Sequence, residues 1–511
     1  MSLAPPPLQP ALPVPPTLTD QAAEPPAAAR ARFDNAADHP ADSATGAAAA
    51  ATPSPIHNPR LRQLLDLALA ENRDLRLAML AVERARAQYG IAQAERLPTL
   101  NANANANRSR SADDLTTPGR SNFSAQYSAS VGLASYEIDF WGRVRQLNEA
   151  ALQEFFRSQS TRDSARISLS AELMLAWLNL DADARRLQLA QATLQARQQQ
   201  HALLTRSHAL GAASALTLAQ SQTSLDSART DLASLQAQLA RGRNALALLA
   251  GSPVPGAWLP PSAESAFAAL AGVDGNAAAP AATAPAGTAS SPASSPAGAP
   301  IPQPTPASAP ALALPAIEPG MPSTLLLARP DVRAAEHGLK AASAQIGVAR
   351  AAFFPSISLT ASLGSASNQL SGLFAGGNGT WSFAPQIRLP IFDAGRNQAN
   401  LRVAELARET ALAHYEKTIQ AAFRDTLDAL AERASLAERL AAQTSLTQAS
   451  ARALELSQAR FRLGADNYLS VLDAERSLYA AQQGLIAVQL AEQANRVQLY
   501  KALGGPWPGQ E

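Results

Sequence analysis

Few residues of this 511-residue chain have the type and spacing that catalysis or metal binding requires. Cysteine is absent, which excludes disulfides and Cys-ligated metal sites. His201 and His208 are seven residues apart, about 10 Å along a helix, so they cannot share a metal ion. Gly376, Gly377 and Gly379 lead into a predicted strand, which indicates a hairpin turn rather than a phosphate-binding loop. The sequence therefore predicts no enzyme, no cofactor and no metal site.

The charge balance excludes the basic excess that is typical of nucleic-acid-binding proteins. Lys and Arg number 42 against 41 Asp and Glu, which gives a formal net charge of +1. Apolar residues make up 47% of the chain, and most of them are Ala rather than the larger side chains that fill thick cores. This composition favours thin, closely packed helices. No apolar run reaches the 18 or so residues that indicate a transmembrane helix.

An internal repeat divides the chain. Asp74 and Asp331 are equivalent and lie 257 residues apart, whereas Gly211 and Gly464 are equivalent and lie 253 residues apart. The predicted segments are an extended N-terminal segment at 1–58, a first repeat at 59–252, a Pro/Ala/Ser-rich linker at 253–321, a second repeat at 322–505 and a tail at 506–511. Residues 260–312 within the linker have too little apolar surface to offset chain entropy, so we expect them to be disordered or extended.

Each repeat opens with a helix, the first at about 61–96, and then switches to a period of two. This alternation predicts β-hairpins at 98–140 and 355–392, each with one apolar and one polar face. Strands of about ten residues have the length that a tilted strand needs to cross a bilayer. We expect the apolar face to contact lipid, represented by Tyr127, Leu359 and Phe383, and the polar face to line a lumen, represented by Asn101, Asn103, Ser358 and Thr360.

A segment without Gly or Pro follows each hairpin, at 143–210 and at 396–463. A continuous helix of this length measures about 100 Å. Gly211 and Gly464 end these helices, and shorter helices return after them. Such helices predict a bundle, a coiled coil or the wall of a tube.

Four strands with one apolar face cannot close a barrel alone, because the smallest membrane barrels have about eight strands. An open strand edge cannot lie in lipid, so several chains must share one barrel. The sequence therefore predicts a mixed α/β membrane protein in which a shared β-barrel continues into a helical barrel. The alternative from another class is a soluble helical scaffold that oligomerises through coiled coils.

Four segments resemble the TolC-like outer-membrane efflux proteins, most closely the lipoprotein branch that serves resistance-nodulation-division pumps. They are YEIDFWGR at 136–143, ARPDVRAAE at 328–336, PSI at 355–357 and FRLGADNYLSVLDA at 461–474. The resemblance implies a homotrimer with a twelve-stranded barrel in the outer membrane of a Gram-negative bacterium and a periplasmic helical tunnel. It further implies a passive exit duct of a tripartite pump, with a periplasmic adaptor, an inner-membrane pump and outer-membrane lipid as partners. A type I protein-secretion duct is the related alternative.

The resemblance also places a gate at the helix ends opposite the strands. It marks Asp473 as the tip aspartate, with a further group of tip or gate candidates: Arg460, Phe461, Arg462, Gly464, Asp466 and Gly211. We expect Asp473 of one chain to pair with Arg460 or Arg462 of a neighbouring helix. The structural alternatives are a charge near a helix N-terminus for Asp473, helix docking for Phe461 and Arg460, and helix caps for both Gly. Met1 stands where this branch carries a lipidated Cys, which predicts no acylation site in this chain.

Overall fold

The computed structural model describes Pro5, residues 58–115, Gly119, and residues 121–275 and 323–505. Met1, nearly all of the predicted N-terminal segment, most of the predicted linker and the tail at 506–511 lie outside these residues. The chain divides into a strand unit and a helical unit. The strand unit contains residues 78–163 and 330–420, and the helical unit contains the described residues among 58–77, 164–329 and 421–505.

The order of elements repeats along the chain, as the internal repeat predicts. The helices are α1 (Pro59–Glu71), α2 (Arg73–Ala94), α3 (Arg143–Ala209), α4 (Ala215–Ala250), α5 (Pro261–Gly275), α6 (Pro330–Ala351), α7 (Arg396–Arg462) and α8 (Tyr468–Ala502). The strands are β1 (Leu100–Arg110), β2 (Phe123–Glu137), β3 (Ser356–Ser367) and β4 (Gly379–Arg388). Both α3 and α7 are continuous over 67 residues. None of the described helices combines the length and apolarity that crossing a membrane requires.

The prediction of one helix over about 61–96 is wrong, because the chain breaks at Asn72. Asn72 has an extended backbone between α1 and α2, and its side-chain oxygen accepts a hydrogen bond from the Leu75 amide at 2.9 Å. Its side-chain nitrogen donates to the carbonyl of Leu249 on α4, also at 2.9 Å. Asn72 thus caps the start of α2 and links the end of α1 to α4.

The expectation that disorder begins at residue 260 is also wrong, because α5 occupies the first part of this stretch. Ala263 and Ala266 of α5 are buried in the main core cluster of the helical unit. Arg60 donates to the Glu264 carboxylate at 2.7 Å and to the Leu259 carbonyl at 3.0 Å. Phe267 and Leu270 of α5 also pack against this cluster, so the first part of the stretch has enough apolar surface to fold as a helix.

The four strands form one antiparallel sheet in the order β1-β2-β3-β4. Residues paired across neighbouring strands share a face, so the series Leu133, Ala361 and Phe383 lies on one side of the sheet. This apolar face carries the exposed large side chains of the sheet, namely Leu100, Phe123, Val131, Leu363, Trp381, Phe383 and Ile387. Tyr127 and Leu359 lie on the same face, as predicted.

The opposite, polar face carries hydroxyl and amide side chains, including Asn101, Asn103, Ser358 and Thr360. Its charged strand residues are Glu137 and Arg388, both at the ends of the strands near the helices. Glu137 forms a bidentate ion pair with Arg143 at 2.6 and 2.8 Å. A β-bulge between Leu133 and Tyr136 adds one residue to β2, so that Tyr136 lies on the apolar face opposite Leu359 and Glu137 on the polar face opposite Ser358.

Two glycines allow β2 and β3 to pair closely. Gly132 lies opposite Ser362, and Gly364 lies opposite Ser130. A Cβ atom added to Gly132 would overlap the carbonyl oxygen of Ala361, and one added to Gly364 would overlap the carbonyl oxygen of Ala129. Both obstacles are backbone atoms, which cannot move without separating the strands.

We predict that Gly132→Ala strongly reduces the yield of folded protein, because the methyl group forces the β2 and β3 backbones apart. Overpacking of this kind costs about 1 to 3 kcal/mol or more. The measurement is the amount of folded, heat-modifiable protein recovered from the membrane. Gly379→Ala is the control, because no atom lies within 4 Å of a Cβ added at this strand residue. Equal yields of the two variants would contradict the prediction.

Candidate functional site

The predicted tip residues lie in the helical unit, at two turns with the same backbone structure. Gly211 has φ 78° and Gly464 has φ 73°, in the left-handed region that favours glycine. The amides of Ala212 and Ala465, which follow the glycines, bond five residues back at 2.8 and 3.0 Å. These are Schellman caps, so both glycines serve as helix C-caps. Ser214 then caps α4 through the Thr217 amide.

Arg460 and Asp466 are joined across the second turn. The guanidinium of Arg460 donates two hydrogen bonds to the Asp466 carboxylate, at 2.6 and 2.9 Å. These hydrogen bonds hold the pKa of Asp466 below its ordinary value. The pair connects the last turn of α7 to the residue before the α8 cap, Asn467. Arg460 therefore has a carboxylate partner at its own turn, and its pairing with Asp473 across neighbouring helices stays a prediction.

Arg462 and Asp473 are separate from this pair. Arg462 donates from its Nε atom to the Gln458 carbonyl at 3.3 Å. The Asp473 side chain is 62% exposed, and Arg476, one turn further along α8, is 3.7 Å away. The prediction that Asp473 pairs with Arg460 or Arg462 thus finds no support within the chain. The exposed carboxylate remains available at the surface of α8.

Phe461 packs against the helices that begin and end at the second turn. Its ring lies 5.6 Å from the ring of Tyr468, the first residue of α8, at an interplanar angle of 55°. Both belong to an apolar cluster that also contains Leu204, Leu454, Val471, Leu472 and Leu478. The cluster joins α3, α7 and α8. Phe461 therefore docks helices, as the structural alternative predicted.

A buried polar cluster lies next to this apolar cluster, and the sequence analysis missed it. Arg197 of α3 is 9% exposed and donates to the Ser224 carbonyl of α4 at 2.8 Å. Its Nε atom is buried without a hydrogen-bond partner among the described residues. Its guanidinium lies 5.9 Å from the ring centre of Tyr479 on α8. An arginine thus occupies the contact between α3, α4 and α8.

Glu475 of α8 provides the acidic member of the cluster. Burial raises its pKa from the ordinary 4.5 to about 7, while the positive charge of Arg197 acts in the opposite direction. Burial also raises the pKa of Tyr468, whose hydroxyl bonds to Ser221. The Ser221 hydroxyl in turn lies 3.1 Å from His201 Nδ1. The charge of Glu475 thus interacts with Arg197 and with the Tyr468 hydroxyl.

A signal for Glu475 is present in the sequence. Val471, Leu472 and Leu478 are buried on α8, and Glu475 lies at the matching helical spacing. Glu475 is half-buried, and a carboxylate between buried apolar residues of a long helix is unusual, because burial disfavours its charged form. Its basic neighbour could not be found this way, because Arg197 lies on another helix.

The two histidines noted in the sequence have ordinary partners. His201 contacts Ser221, and His208 Nδ1 lies 2.8 Å from the Ala213 carbonyl oxygen. Among the described residues, no group of three or more His, Asp or Glu side chains could hold a metal ion.

We predict that Glu475→Gln stabilises the protein at pH 8 and has a smaller effect at pH 5. Because folding raises the pKa of Glu475, its stabilising contribution is complete below pH 4.5 and is lost as the pH rises through about 7. Glutamine keeps the neutral form at every pH, so the gain at pH 8 is about 1 to 3 kcal/mol per chain. The measurement is thermal unfolding in detergent, followed by helical circular dichroism.

The control for this prediction is Glu492→Gln, which removes a carboxylate of α8 that pairs with Arg496 at 2.7 Å. This change should not raise stability at pH 8. If Glu475→Gln changed stability by the same amount at both pH values, the buried carboxylate would have no role in pH dependence.

Comparison with known proteins agrees with this architecture. The family model "Outer membrane efflux protein" matches residues 64–252 and 321–505. The toluene efflux pump outer membrane protein TtgC of Pseudomonas putida is 38% identical over 452 residues, which cover 88% of this chain and 84% of TtgC. The outer membrane protein OprJ of Pseudomonas aeruginosa is 39% identical, over 88% of this chain and 85% of OprJ.

Solved structures are similar over the same range. The open-state MtrE outer membrane channel of Neisseria gonorrhoeae has a TM-score of 0.71 and 37% identity, over 88% of this chain and 89% of MtrE. CusC has a TM-score of 0.78 and 33% identity, over 99% of this chain and all of CusC. These matches confirm the predicted resemblance, fold class and outer-membrane location, and they replace the soluble-scaffold alternative. The chain therefore belongs to the outer membrane efflux protein family.

Proposed function

We propose that three copies of the chain close a twelve-stranded barrel in the outer membrane and form a passive exit duct for small molecules. The observation that carries this proposal is the four-stranded sheet, in which β1 and β4 are edge strands among the described residues. An unpaired edge is unstable in lipid, and pairing β1 of one copy with β4 of the next removes it. Two copies would give eight strands, whose interior is filled by side chains, whereas twelve leave a lumen.

The two faces of the sheet support the orientation of this barrel. The apolar face carries exposed large side chains such as Leu363, Trp381 and Phe383, which is typical of a lipid-facing surface. The polar face carries hydroxyl and amide groups, which suit a water-filled interior. Tyr127 and Leu359 then contact lipid, and Asn103 and Thr360 line the lumen.

The names of the relatives support a role in a pump rather than in protein secretion. They are outer-membrane proteins of toluene, solvent and antibiotic efflux pumps. We infer that this chain receives small molecules from an inner-membrane pump through a periplasmic adaptor. The duct itself performs no chemistry, and the energy for transport comes from the pump.

We further propose that Asp473 contributes to a gate at the tip. Its carboxylate is exposed near the start of α8, and three-fold symmetry would repeat it around the axis. A ring of like charges attracts cations. The Arg460–Asp466 pair at the neighbouring turn holds the α7–α8 connection in one conformation.

Planar-bilayer recording tests both the duct and the gate. We predict that the wild-type protein forms discrete channels and that Asp473→Ala increases their conductance or weakens their block by divalent cations, because the acidic ring is removed. Asp428→Ala is the control, since Asp428 is a similarly exposed carboxylate of α7. Wild-type protein without channel activity would refute the duct. Identical traces for wild type and Asp473→Ala would make Asp473 an ordinary surface charge.

A second prediction concerns the faces of the sheet. Leu359→Arg should impair formation of the trimer, because arginine on the lipid face is unfavourable, by about 2 to 4 kcal/mol per chain at the midplane and by up to about 1 kcal/mol near the border of the apolar band, where Leu359 lies. Ser358→Arg is the matched control, since Ser358 is the next residue and lies on the polar face. The measurement is the mass of the purified complex in detergent. Equal tolerance of both changes would reverse the face assignment, and a wild-type monomer would refute the trimer.

A further inference from the structure

On the apolar face of β1, the side chains change from apolar to positively charged toward the C-terminal end of the strand. Starting at Leu100, the residues on this face are three alanines followed by two arginines: Ala102, Ala104, Ala106, Arg108 and Arg110. Both arginines are exposed. They share the face because Arg108 pairs with Ala125 and Arg110 with Phe123, in the same register that pairs Ala102 with Val131. On this face of β1, positively charged side chains thus come directly after the apolar ones.

The depth of these arginines matches the border of a membrane. A strand rises about 3.4 Å per residue, so Arg108 lies about 27 Å and Arg110 about 34 Å along β1 from Leu100. At a tilt of about 40°, these lengths correspond to about 21 and 26 Å along the membrane normal. The apolar band of an outer-membrane barrel is about 25 Å tall. The arginines therefore lie at the level of the lipid headgroups.

The chain connections identify which leaflet this is. Helix α2 precedes Leu100, and α3 follows Glu137, the residue at the same end of the β1–β2 hairpin. Arg108 and Arg110 lie at the other end, next to the hairpin connection. If the helices are periplasmic, this end faces the outer leaflet.

The surface around the arginines suits a lipid with a phosphate group. The guanidinium of Arg110 lies 5.4 Å from the ring centre of Phe123, so its charge is held over an apolar ring. Arg108 lies beside Ala125, whose small side chain leaves room above the sheet. Guanidinium groups bind phosphate in a bidentate manner, and the alanines below them offer an apolar surface to acyl chains.

We propose that Arg108 and Arg110 bind the phosphate groups of the glycolipid that forms the outer leaflet of the outer membrane. This proposal rests on the proposed function, because it requires the apolar face to contact lipid. The site anchors the barrel at a fixed depth and recruits a phosphorylated lipid to the edge strand β1, where two copies of the chain meet.

The test uses the full-length protein in phosphatidylcholine nanodiscs and fluorescent lipopolysaccharide as the probe. We expect the double variant Arg108→Gln/Arg110→Gln to bind lipopolysaccharide about 30-fold more weakly than wild type, since each cation near a charged membrane surface contributes about a fivefold change. Arg388→Gln is the matched control, because Arg388 is a strand arginine on the polar face. Arg108→Lys/Arg110→Lys should keep most of the binding, because it keeps both charges.

Three outcomes distinguish a failure of the lipid site from a failure of the proposed function. Complex mass and channel conductance are measured on the same samples, so a wild-type protein without trimer or channel would refute the proposed function instead. If the double Gln variant kept both properties and bound lipopolysaccharide like wild type, the lipid site would be refuted. Equal affinity of wild type for phosphatidylglycerol and lipopolysaccharide would also overturn the proposal, because it would show general attraction to anionic lipid.

Discussion

The unpaired backbone groups of β1 and β4 are the constraint on which the rest of the architecture depends. In lipid, each unsatisfied amide or carbonyl costs several kcal/mol, so a single chain with four strands has no stable place in a membrane. Association of copies follows from this requirement and not from any particular side-chain contact. The close glycine pairing of β2 and β3 serves the same end, because it fixes the register of the central strands.

The helical unit is held together by the packing of its long helices. Most of their contacts are apolar, with residues such as Trp177 and Leu239 fully buried. The buried Arg197 and the half-buried Glu475 interrupt this pattern between α3, α4 and α8, where the burial of charge is costly. A contact with an unsatisfied guanidinium nitrogen is less stable than an apolar one of the same area. The structure thus has a weak contact close to the tip turns.

Most elements of the fold depend on local sequence patterns, and the sequence predicts these elements correctly for that reason. The alternation in the hairpins, the absence of Gly and Pro in α3 and α7, and the glycines that end them act within a few residues. The missed features depend on distant partners. The break at Asn72 requires the Leu249 carbonyl, and α5 requires the core cluster that buries Ala263. The Arg197–Glu475 cluster likewise depends on how separate helices come together, whereas Arg460 and Asp466 are six residues apart and pair across a single turn.

The polar face of the sheet has a consequence for the passage of solutes. Between its two ends it presents amides and hydroxyls such as Asn103, Asn105, Ser130 and Ser362, without a fixed charge among the described strand residues. A lining of neutral dipoles creates little net electrostatic potential along the pore axis. Partitioning of a solute into this section then depends on its size and hydration and hardly on the sign of its charge. Within this section, cationic, anionic and neutral molecules would therefore move at rates that ionic strength scarcely alters.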